Sequence, residues 1–408
     1  MRDLAHGGDA VVETAADGLV FVRGALPGET IRMAVDSVRK GKIRRGALLE
    51  VVTPSPDRRE PECPVQSACG GCPWMPLDVA AQRDRKRRWL EEAAGMVVDP
   101  VIAGEPIAYR RRARLHFSYD RGRRVVGYLP ERGRSIVDVK SCVVLAAPLA
   151  AALDVFRAEV LPHAAGDGEL HLALRGEGAL LAFRSESDQP ATVYRALEGA
   201  VARGALAGAL LYAGGATEPA AWGERQELTT TLDAVLEGPF PGFSQSNDAV
   251  NLRVAATVLE WANPAGLDVL ELYAGHGNLT VPLARAAKTV RAVEQSRDGV
   301  RALERNLASL GVTNVSVVCA NAEDQVRGPA DVVVLDPPRT GAREVAAALA
   351  AVRPRRIVYV SCDTPTLGRD LEVLRAGGYA VTRARAFDMF PHTAHVESVV
   401  LAEPVPGR

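Results

Sequence analysis

The sequence predicts an α/β protein in which a small N-terminal β-barrel and a mixed central unit precede a parallel sheet covered by helices. Three patterns lead to this prediction. Residues 10–53 are short β-rich runs separated by glycine and proline, residues 63–240 mix strand-like and helix-like patterns, and regular apolar runs alternate with helical segments from Leu267 onward. With 408 residues, the chain has the length of two or three domains. We expect domains at residues 1–54, 55–238 and 239–408.

The composition is that of a folded protein with no strong overall charge. Hydrophobic residues make up 47% and charged residues 24%, and 49 Lys and Arg stand against 50 Asp and Glu. The overall charge therefore favours no polyanionic partner, and only local clusters can indicate one. No apolar run reaches the ~18 residues of a membrane span, and the N-terminus lacks the apolar core of a secretory signal. These features predict a cytoplasmic protein with reduced thiols, acting without a membrane.

The first unit is expected to be the β-barrel. Its runs AVVETAADGLVFVRG and ETIRMAVDSVRKGKIRRGALLEVV show no helical period, and TPSPDRREPE at residues 53–62 reads as a linker. Within the second run, RMAVDSVRKGKIRR is strongly basic, with Arg32, Arg39, Lys40, Lys42, Arg44 and Arg45 against one Asp. This cluster is typical of a surface that binds phosphates.

Four cysteines in the central unit indicate a metal centre. Cys63, Cys69 and Cys72 have the spacing C-x5-C-x2-C, and Cys142 is a distant fourth. Three thiols within ten residues can surround one centre, and zinc or an iron–sulfur cluster would fit equally.

Two further basic clusters lie in the same unit. They are RDRKRRW at residues 83–89 and YRRRARLHFSYDRGRR at residues 109–124, the second interleaved with aromatic residues. Cations with aromatic platforms are typical of proteins that bind single-stranded or loop RNA. For RDRKRRW alone, a solvated helix face explains the pattern equally well.

The C-terminal unit predicts the doubly covered sheet. VLELYAG, TVRAVEQ, VSVVCAN, DVVVLDPP and RIVYVSC are apolar runs separated by helical segments, as parallel strands buried on both faces require. YAVTRARAFDMF and HVESVVLAEP follow and predict an antiparallel hairpin at the sheet edge. Five such units with a terminal hairpin are typical of a Rossmann-like methyltransferase rather than of a dinucleotide dehydrogenase.

Polar residues at the ends of these strands predict a ligand crevice. Gly275 and Gly277 lie in a turn between the first strand and its helix, and Glu294 ends the second strand, where a carboxylate can accept hydrogen bonds from a ribose. Asn321 and Asp336 end the third and fourth strands. Helix caps would explain any one of them but explain the set poorly.

Cys362 is the candidate nucleophile. It ends the fifth strand just before a helix, whose N-terminus can lower a thiol pKa. Cys319 lies inside its strand and is expected to be inert. His392, His395 and Glu397 lie in the last hairpin, and structural histidines explain them better than a metal site, because no further ligand is near.

These motifs resemble the RNA uracil-5-methyltransferases, specifically the ribosomal RNA branch that carries a TRAM domain and an iron–sulfur cluster. The motifs FSQSN, ELYAGHGN, AVEQS, DPPRTG, YVSCDTPTLGRDL and FPHTAHVES occur in the family's order, and the four cysteines match its cluster motif. The resemblance implies a class I methyltransferase domain behind an OB-like TRAM barrel, with Cys362 as nucleophile and Glu397 as general base. It implies S-adenosylmethionine held by Gln245, Tyr273, Asn278, Glu294, Asn321 and Asp336, and a 4Fe–4S cluster held by Cys63, Cys69, Cys72 and Cys142.

The implied reaction needs these residue types. Addition of a thiolate to C6 makes C5 of uracil nucleophilic toward the sulfonium methyl, and a base must then remove the C5 hydrogen. The chain departs from the family at Glu271, Ala274 and Asp363, where Asp, Cys and Asn are frequent. An ionised Asp363 would oppose formation of the Cys362 thiolate.

The resemblance also implies an RNA substrate, for which the cluster and barrel favour ribosomal RNA, with a transfer RNA uridine-5-methyltransferase as the alternative. We expect a monomeric enzyme. A cytosine-5 methyltransferase is disfavoured, because those enzymes usually carry the nucleophile after proline and Cys362 follows serine. A catalytically silent iron–sulfur RNA-binding protein is the alternative from another class. The presence of both Cys362 and Glu397 argues against it.

Overall fold

A computed structural model describes residues 3–14, 18–36, 44–120, 122–130, 133 and 135–407 of the chain. Its strands form four sheets within these ranges.

The first sheet is built by the N-terminal residues. Its strands are β1 (Asp3–Leu4), β2 (Ala10–Thr14), β3 (Gly18–Val22), β4 (Thr30–Val35) and β5 (Arg44–Thr53), in the order β1-β2-β3-β5-β4. β3 and β5 are parallel and the other pairs are antiparallel. No ladder joins β4 to β1 in the described residues, so the closed barrel is not confirmed. Of the predicted basic cluster, Arg39, Lys40 and Lys42 lie outside the described residues, and Arg32 forms an ion pair with Glu50.

The predicted linker is anchored to this sheet. Arg58 donates from Nη2 to Oε2 of Glu29 at 2.8 Å and to the carbonyl oxygen of Gly24 at 2.8 Å. Glu29 is buried. The proline-rich segment therefore packs back on the first unit.

Helix α1 (Val79–Ala94) contains the cluster RDRKRRW, and its cations are paired within the protein. Asp78 caps its start and Gly95, with φ of 69°, ends it. Lys86 is fully buried and donates to Oδ1 of Asp388 at 2.6 Å. Arg83, Arg85, Arg87 and Arg88 form ion pairs with Asp388, Asp3, Glu91 and Asp84. Lys86 is therefore part of neither an RNA-binding surface nor a solvated face, whereas Arg88, which is 53% exposed along its side chain, is compatible with both expectations. The short strand β6 (Ile102–Ala103) follows.

The central sheet has seven strands. They are β7 (Arg112–Asp120), β8 (Arg123–Tyr128), β9 (Val137–Asp138), β10 (Gly168–Arg175), β11 (Gly178–Ser185), β12 (Gly208–Tyr212) and β13 (Ala220–Gly223), in the order β13-β12-β11-β10-β7-β8-β9. The mixture of strands and helices expected for this unit is present. Helix α2 (Ala147–Val155) continues as a π-helical turn (Phe156–Val160) and a 3₁₀ turn (Leu161–His163). Helix α3 (Ala191–Ala202) follows β11.

A small hairpin and a helix lead into the C-terminal sheet. The hairpin is β14 (Gln226–Thr230) with β15 (Val235–Pro239), and the helix is α4 (Asp248–Ala262). Arg111, which is buried, donates to Oδ1 of Asp248 at 2.7 Å. Part of the second arginine cluster thus holds the start of α4.

The C-terminal sheet confirms the five predicted parallel strands. Its elements are β16 (Asp268–Leu272), α5 (Thr280–Ala286), β17 (Thr289–Glu294), α6 (Arg297–Ser309), β18 (Val315–Cys319), a 3₁₀ turn (Glu323–Gln325), β19 (Val332–Leu335), α7 (Arg343–Val352), β20 (Arg356–Ser361), α8 (Thr364–Ala376), β21 (Tyr379–Asp388) and β22 (Glu397–Pro404). The order is β18-β17-β16-β19-β20-β22-β21-β6. The predicted hairpin is antiparallel, but β22 lies between β20 and β21, and β6 pairs beyond β21. β22 is buried along most of its length because it has a neighbour on each side.

The N-terminal and C-terminal sheets share one hydrophobic core. Leu4, Val20 and Leu26 belong to the same buried cluster as Trp89 and Tyr359. The predicted boundaries at residues 54 and 238 stay a prediction, but this core crosses the first of them. None of the helices described is long and apolar enough to cross a membrane.

Candidate active site

A cavity of about 640 Å³ lies at the carboxyl ends of β16, β17, β19 and β20. Ligands bind at this edge of parallel sheets. Of the eight residues implied for the donor and for catalysis, seven line it, and Gly275 of the predicted turn lines it as well: Gln245, Tyr273, Asn278, Glu294, Asp336, Cys362 and Glu397 are the seven. Asn321 does not line it and is exposed beyond β18.

The turn after β16 brings backbone close to the cavity. Gly277 has φ of 108°, and a Cβ atom there would lie 2.8 Å from Cδ1 of Leu303. Only glycine fits this position. Glu294 faces the same turn and accepts hydrogen bonds from the backbone N–H of Gly275 at 2.9 Å and of Ser296 at 2.7 Å. The carboxylate is therefore fixed at the mouth of the turn.

The amide of Asn278 is fixed from the opposite side. It exchanges two hydrogen bonds of 2.9 Å with the amide of Asn251 on α4. The backbone carbonyl oxygen of Asn278 also accepts from the hydroxyl of Thr231 at 2.7 Å. Helix α4 thus orients a side chain that lines the cavity.

Cys362 and Glu397 are brought together by the pairing of β20 with β22. The last pair of this antiparallel ladder is Ser361 with Ser398, and the Ser398 hydroxyl donates to the Ser361 carbonyl at 3.0 Å. One residue further, Cys362 and Glu397 both line the cavity. Asp336 lies beside them and accepts from Nε2 of Gln245 at 3.5 Å.

The surroundings of Cys362 favour its protonated thiol. Burial raises its pKa to about 12, and the carboxyl groups of Glu397, Asp336 and Asp363 act in the same direction while Arg339 opposes them. The expected lowering by the start of α8 is therefore outweighed. Asp363 instead caps that helix, accepting from the backbone N–H of Thr366 at 2.9 Å.

The carboxyl groups of the cavity also favour their neutral forms. Burial raises the pKa of Asp336 to about 6 and of Glu271 to about 8. Burial and the nearby Asp336 hold the pKa of Glu397 well above its usual range, whereas Arg339 lowers it. Protons can therefore be held and exchanged among these groups near neutral pH.

Sequence reasoning did not assign Arg339, Phe243 or Phe390, which line this cavity too. Arg339 is the third residue after Asp336 in DPPRTG, and Phe243 begins FSQSN, so both motifs carried the signal. Phe243 is 76% exposed, which leaves an aromatic face open at the cavity mouth.

The four predicted metal ligands line a second cavity of about 340 Å³. Cys63, Cys69, Cys72 and Cys142 are free thiols, and Arg110 and Arg114 lie in the same wall. No three His, Cys, Asp or Glu side chains within the described ranges are grouped as ligands of one metal ion.

The two cavities are neighbours. Arg339 and Phe390 line both of them. His395 also lines the second cavity, whereas the backbone N–H of His392 donates to Oε1 of Gln82 on α1 at 2.9 Å.

Comparisons with known proteins find a family model, close relatives and a solved structure that resemble this chain. The family model of tRNA (uracil-5-)-methyltransferase matches residues 239–405. Proteins of Chromohalobacter salexigens and Klebsiella pneumoniae, both named 23S rRNA (uracil(1939)-C(5))-methyltransferase RlmD, are each 36% identical to this chain. The alignments cover 98% and 99% of this chain and 87% and 94% of the relatives. The structure of Pyrococcus abyssi tRNA (uracil-54, C5)-methyltransferase with S-adenosyl-L-homocysteine has the same fold, with a TM-score of 0.80 at 22% identity over 98% of this chain and 99% of that one.

Proposed function

As the chain belongs to the family of RNA uracil-5-methyltransferases, we propose that it transfers a methyl group from S-adenosylmethionine to C5 of one uridine in 23S rRNA. The observation that carries the proposal is the meeting of Cys362, Glu397 and Asp336 in one cavity beside the glycine turn. A thiol and a carboxyl group in one site match a reaction that needs both a nucleophile and a base.

The residues divide the reaction between them. Cys362 gives up its proton to a neighbouring carboxylate or to water, and the thiolate bonds to C6 of the uracil, which makes C5 nucleophilic. The methyl donor, when bound, would supply an electrophilic methyl group to C5, with its carbon–sulfur bond breaking and S-adenosylhomocysteine leaving. Glu397 then accepts the C5 proton, the C6–sulfur bond breaks, and the Cys362 thiolate is released.

Arg339 supports both proton steps. Its charge lowers the pKa of Cys362 and of Glu397. It therefore favours the thiolate needed for addition and the carboxylate needed as base. Because burial opposes both ionised forms, the reaction depends on a cation at this position.

Ribosomal RNA is the proposed substrate, since the relatives at 36% identity are named for it. Transfer RNA is the second candidate, because the matching family model and the P. abyssi enzyme are named for it. The test offers labelled S-adenosylmethionine with 23S rRNA or with tRNA, each lacking 5-methyluridine, and maps the product by mass spectrometry. Label at one position of 23S rRNA would support the proposal. Label found only in tRNA would show that tRNA is the substrate instead. No transfer to either RNA would overturn the proposed function.

We also propose that Cys63, Cys69, Cys72 and Cys142 hold a 4Fe–4S cluster. Four free thiols on one cavity are a suitable donor set, and coordination would favour their thiolate forms. The cluster would tie the 63–72 loop to Cys142 and act structurally. Because Arg339 and Phe390 line both cavities, the cluster would lie next to the active-site cavity, although its cysteine ligands are distant in sequence from Cys362 and Glu397.

Anaerobic purification tests this assignment. We expect a brown protein with about four iron atoms and four sulfides per chain. Cys69→Ala should lose colour and iron, whereas Cys319→Ala, at an exposed position, is the matched control and should keep both. A colourless protein with one zinc would overturn the assignment.

RNA binding is assigned to the N-terminal sheet, as a TRAM domain, and to the arginines of the second cavity, in a monomeric cytoplasmic enzyme. Arg114 lines that cavity and is exposed. Arg114→Gln should reduce the slope of log RNA affinity against log salt concentration by about one unit, the loss expected for one phosphate contact. Arg203→Gln, which removes a partner of Glu159 on the central unit, is the control. Equal salt slopes for both variants would contradict the assignment.

A further inference from the structure

Helix α8 carries both the segment that follows Cys362 and a set of contacts to the turn that bears Arg339. The turn spans residues 337–342 between β19 and α7, and Gly341 donates to the carbonyl oxygen of Pro338 at 2.9 Å. Three turn residues are bound by side chains of α8. Thr366 donates to the carbonyl of Arg339 at 3.2 Å, Arg369 donates to the carbonyl of Thr340 at 2.9 Å, and Asp370 accepts from the backbone N–H of Ala342 at 2.7 Å.

Asp370 is the centre of these contacts. It is fully buried, and its Oδ2 also accepts from the Tyr359 hydroxyl at 2.8 Å, while Oδ1 accepts from Nε of Arg369 at 2.8 Å. All of these bonds use the carboxylate as an acceptor. A buried carboxylate with a full set of donors holds its neighbours in one arrangement.

The turn and the helix approach each other too closely for a side chain between them. Gly341 has φ of 74°, and a Cβ atom there would lie 2.5 Å from Oδ2 of Asp370 and 2.5 Å from Nη2 of Arg369. The close approach therefore sets the distance between the turn and α8. Arg339, two residues before Gly341, is exposed and lines the cavity that is also lined by Cys362 and Glu397.

We propose that Asp370 is a positioning residue for methyl transfer, which fixes the 337–342 turn on α8 so that Arg339 stays beside Cys362 and Glu397. The inference rests on the proposed function. Arg339, Cys362, Glu397 and Asp336 line the same cavity. Arg339 is the cation among these four, so its displacement would leave the thiol with the two carboxyl groups alone.

The test compares Asp370→Asn with Tyr359→Phe. The substituted amide keeps the size of the side chain, but it cannot accept from Ala342, Tyr359 and Arg369 together. Tyr359→Phe removes one buried hydrogen bond from the same carboxylate and leaves its bond to the turn. We expect both variants to melt at lower temperature, and only Asp370→Asn to lower kcat, by roughly 10- to 100-fold, with the KM for S-adenosylmethionine within about twofold of the wild-type value.

A second measurement reports the ionisation of the Cys362 thiol independently of methyl transfer. Alkylation of Cys362 by iodoacetamide, measured by peptide mass spectrometry between about pH 7 and 9.5 without RNA or methyl donor, is proportional to the thiolate fraction. We expect the rate to fall several-fold in Asp370→Asn and to remain unchanged in Tyr359→Phe, with Cys319 in the same protein as the internal reference. Unchanged alkylation and kcat in a folded Asp370→Asn would overturn the inference.

Arg369→Gln covers the case in which Asp370→Asn does not fold. Arg369 is 40% exposed along its side chain, so its substitution spares the core while removing the bond to Thr340. A smaller decrease of alkylation and kcat is expected, and no decrease would overturn the inference. If the wild-type protein methylates no RNA but the alkylation rates still separate, the positioning role stands and the proposed function fails.

Discussion

Cys362 and Glu397 occupy facing positions directly beyond the last pair of the β20–β22 ladder. Ser361 pairs with Ser398, so the nucleophile and the proposed base are the next residues on the two strands. Their relative position is set by backbone hydrogen bonds and by the Ser398 hydroxyl. Each can therefore be substituted without removing the contact that holds the other.

Substitution of these two residues should give different products. Cys362→Ala removes the group that bonds to C6, so neither 5-methyluridine nor a covalent RNA complex should form. Glu397→Gln leaves addition and methyl transfer possible but removes the base for the C5 proton, so a methylated protein–RNA complex should persist on a denaturing gel.

The control for this comparison is binding of the methyl donor, measured by calorimetry in each variant. A Glu397→Gln protein that is folded and binds the donor, but forms no slowly migrating complex, would show that another group takes the proton. Glu397 would then serve only to support β22.

Glu271 should make stability depend on pH. Its folded-state pKa is raised to about 8 by burial, against an ordinary value of 4.5. Between these values the folded protein binds the additional proton, so the free energy of unfolding falls as pH rises. Glu271→Gln removes this dependence, and the variant should melt several degrees above the wild type at about pH 8, with the difference vanishing near pH 4.5. Each pKa unit corresponds to about 1.4 kcal/mol.

Glu372→Gln, at an exposed position on α8, is the control for the melting experiment. It should change the melting temperature little at either pH. An equal effect of Glu271→Gln at both pH values would mean that Glu271 is ionised in the folded protein.

The sequence pattern predicted where the strands end, but it could not predict the order of the strands in the sheet. Glu294 and Asp336 end the strands on either side of β16, and both reach the cavity. Asn321 follows β18, the edge strand, and lies exposed outside the cavity lining. Its role toward the donor stays a prediction. Strand order depends on contacts across the whole chain, which local periodicity does not contain.

Donor binding should separate Glu294 from Asn321. Glu294→Gln retains a carbonyl oxygen but loses the charge and one acceptor, so it should weaken S-adenosylmethionine binding by roughly 10-fold or more, as expected for a hydrogen bond to a charged group. Asn321→Ala should weaken it less than about threefold. Calorimetric titration of both variants checks this order, and a larger effect at Asn321 would indicate that its segment closes over the donor.

The cluster RDRKRRW shows why a local count of charges was insufficient. Lys86 meets Asp388 at a separation of 302 residues, and its ammonium group also donates to the carbonyl of Phe390 at 2.9 Å. Nothing within the cluster indicates this partner. The same contact links α1 to the segment that carries Phe390, which lines both cavities.

Removal of either member of this pair should destabilise the protein strongly. Lys86→Met leaves the Asp388 carboxylate buried without its closest cation, and Asp388→Asn leaves the ammonium group without its counter-ion, so each should lower the free energy of unfolding by about 3–5 kcal/mol. The double variant should recover a large part of the loss, because no fully buried charge is left without a counter-ion; Arg83, the other partner of Asp388, is partly exposed. Urea unfolding measures all three. If Lys86 instead contacted RNA, Lys86→Met would weaken RNA binding and reduce its salt dependence while unfolding at the wild-type urea concentration, and that result would contradict the buried pair.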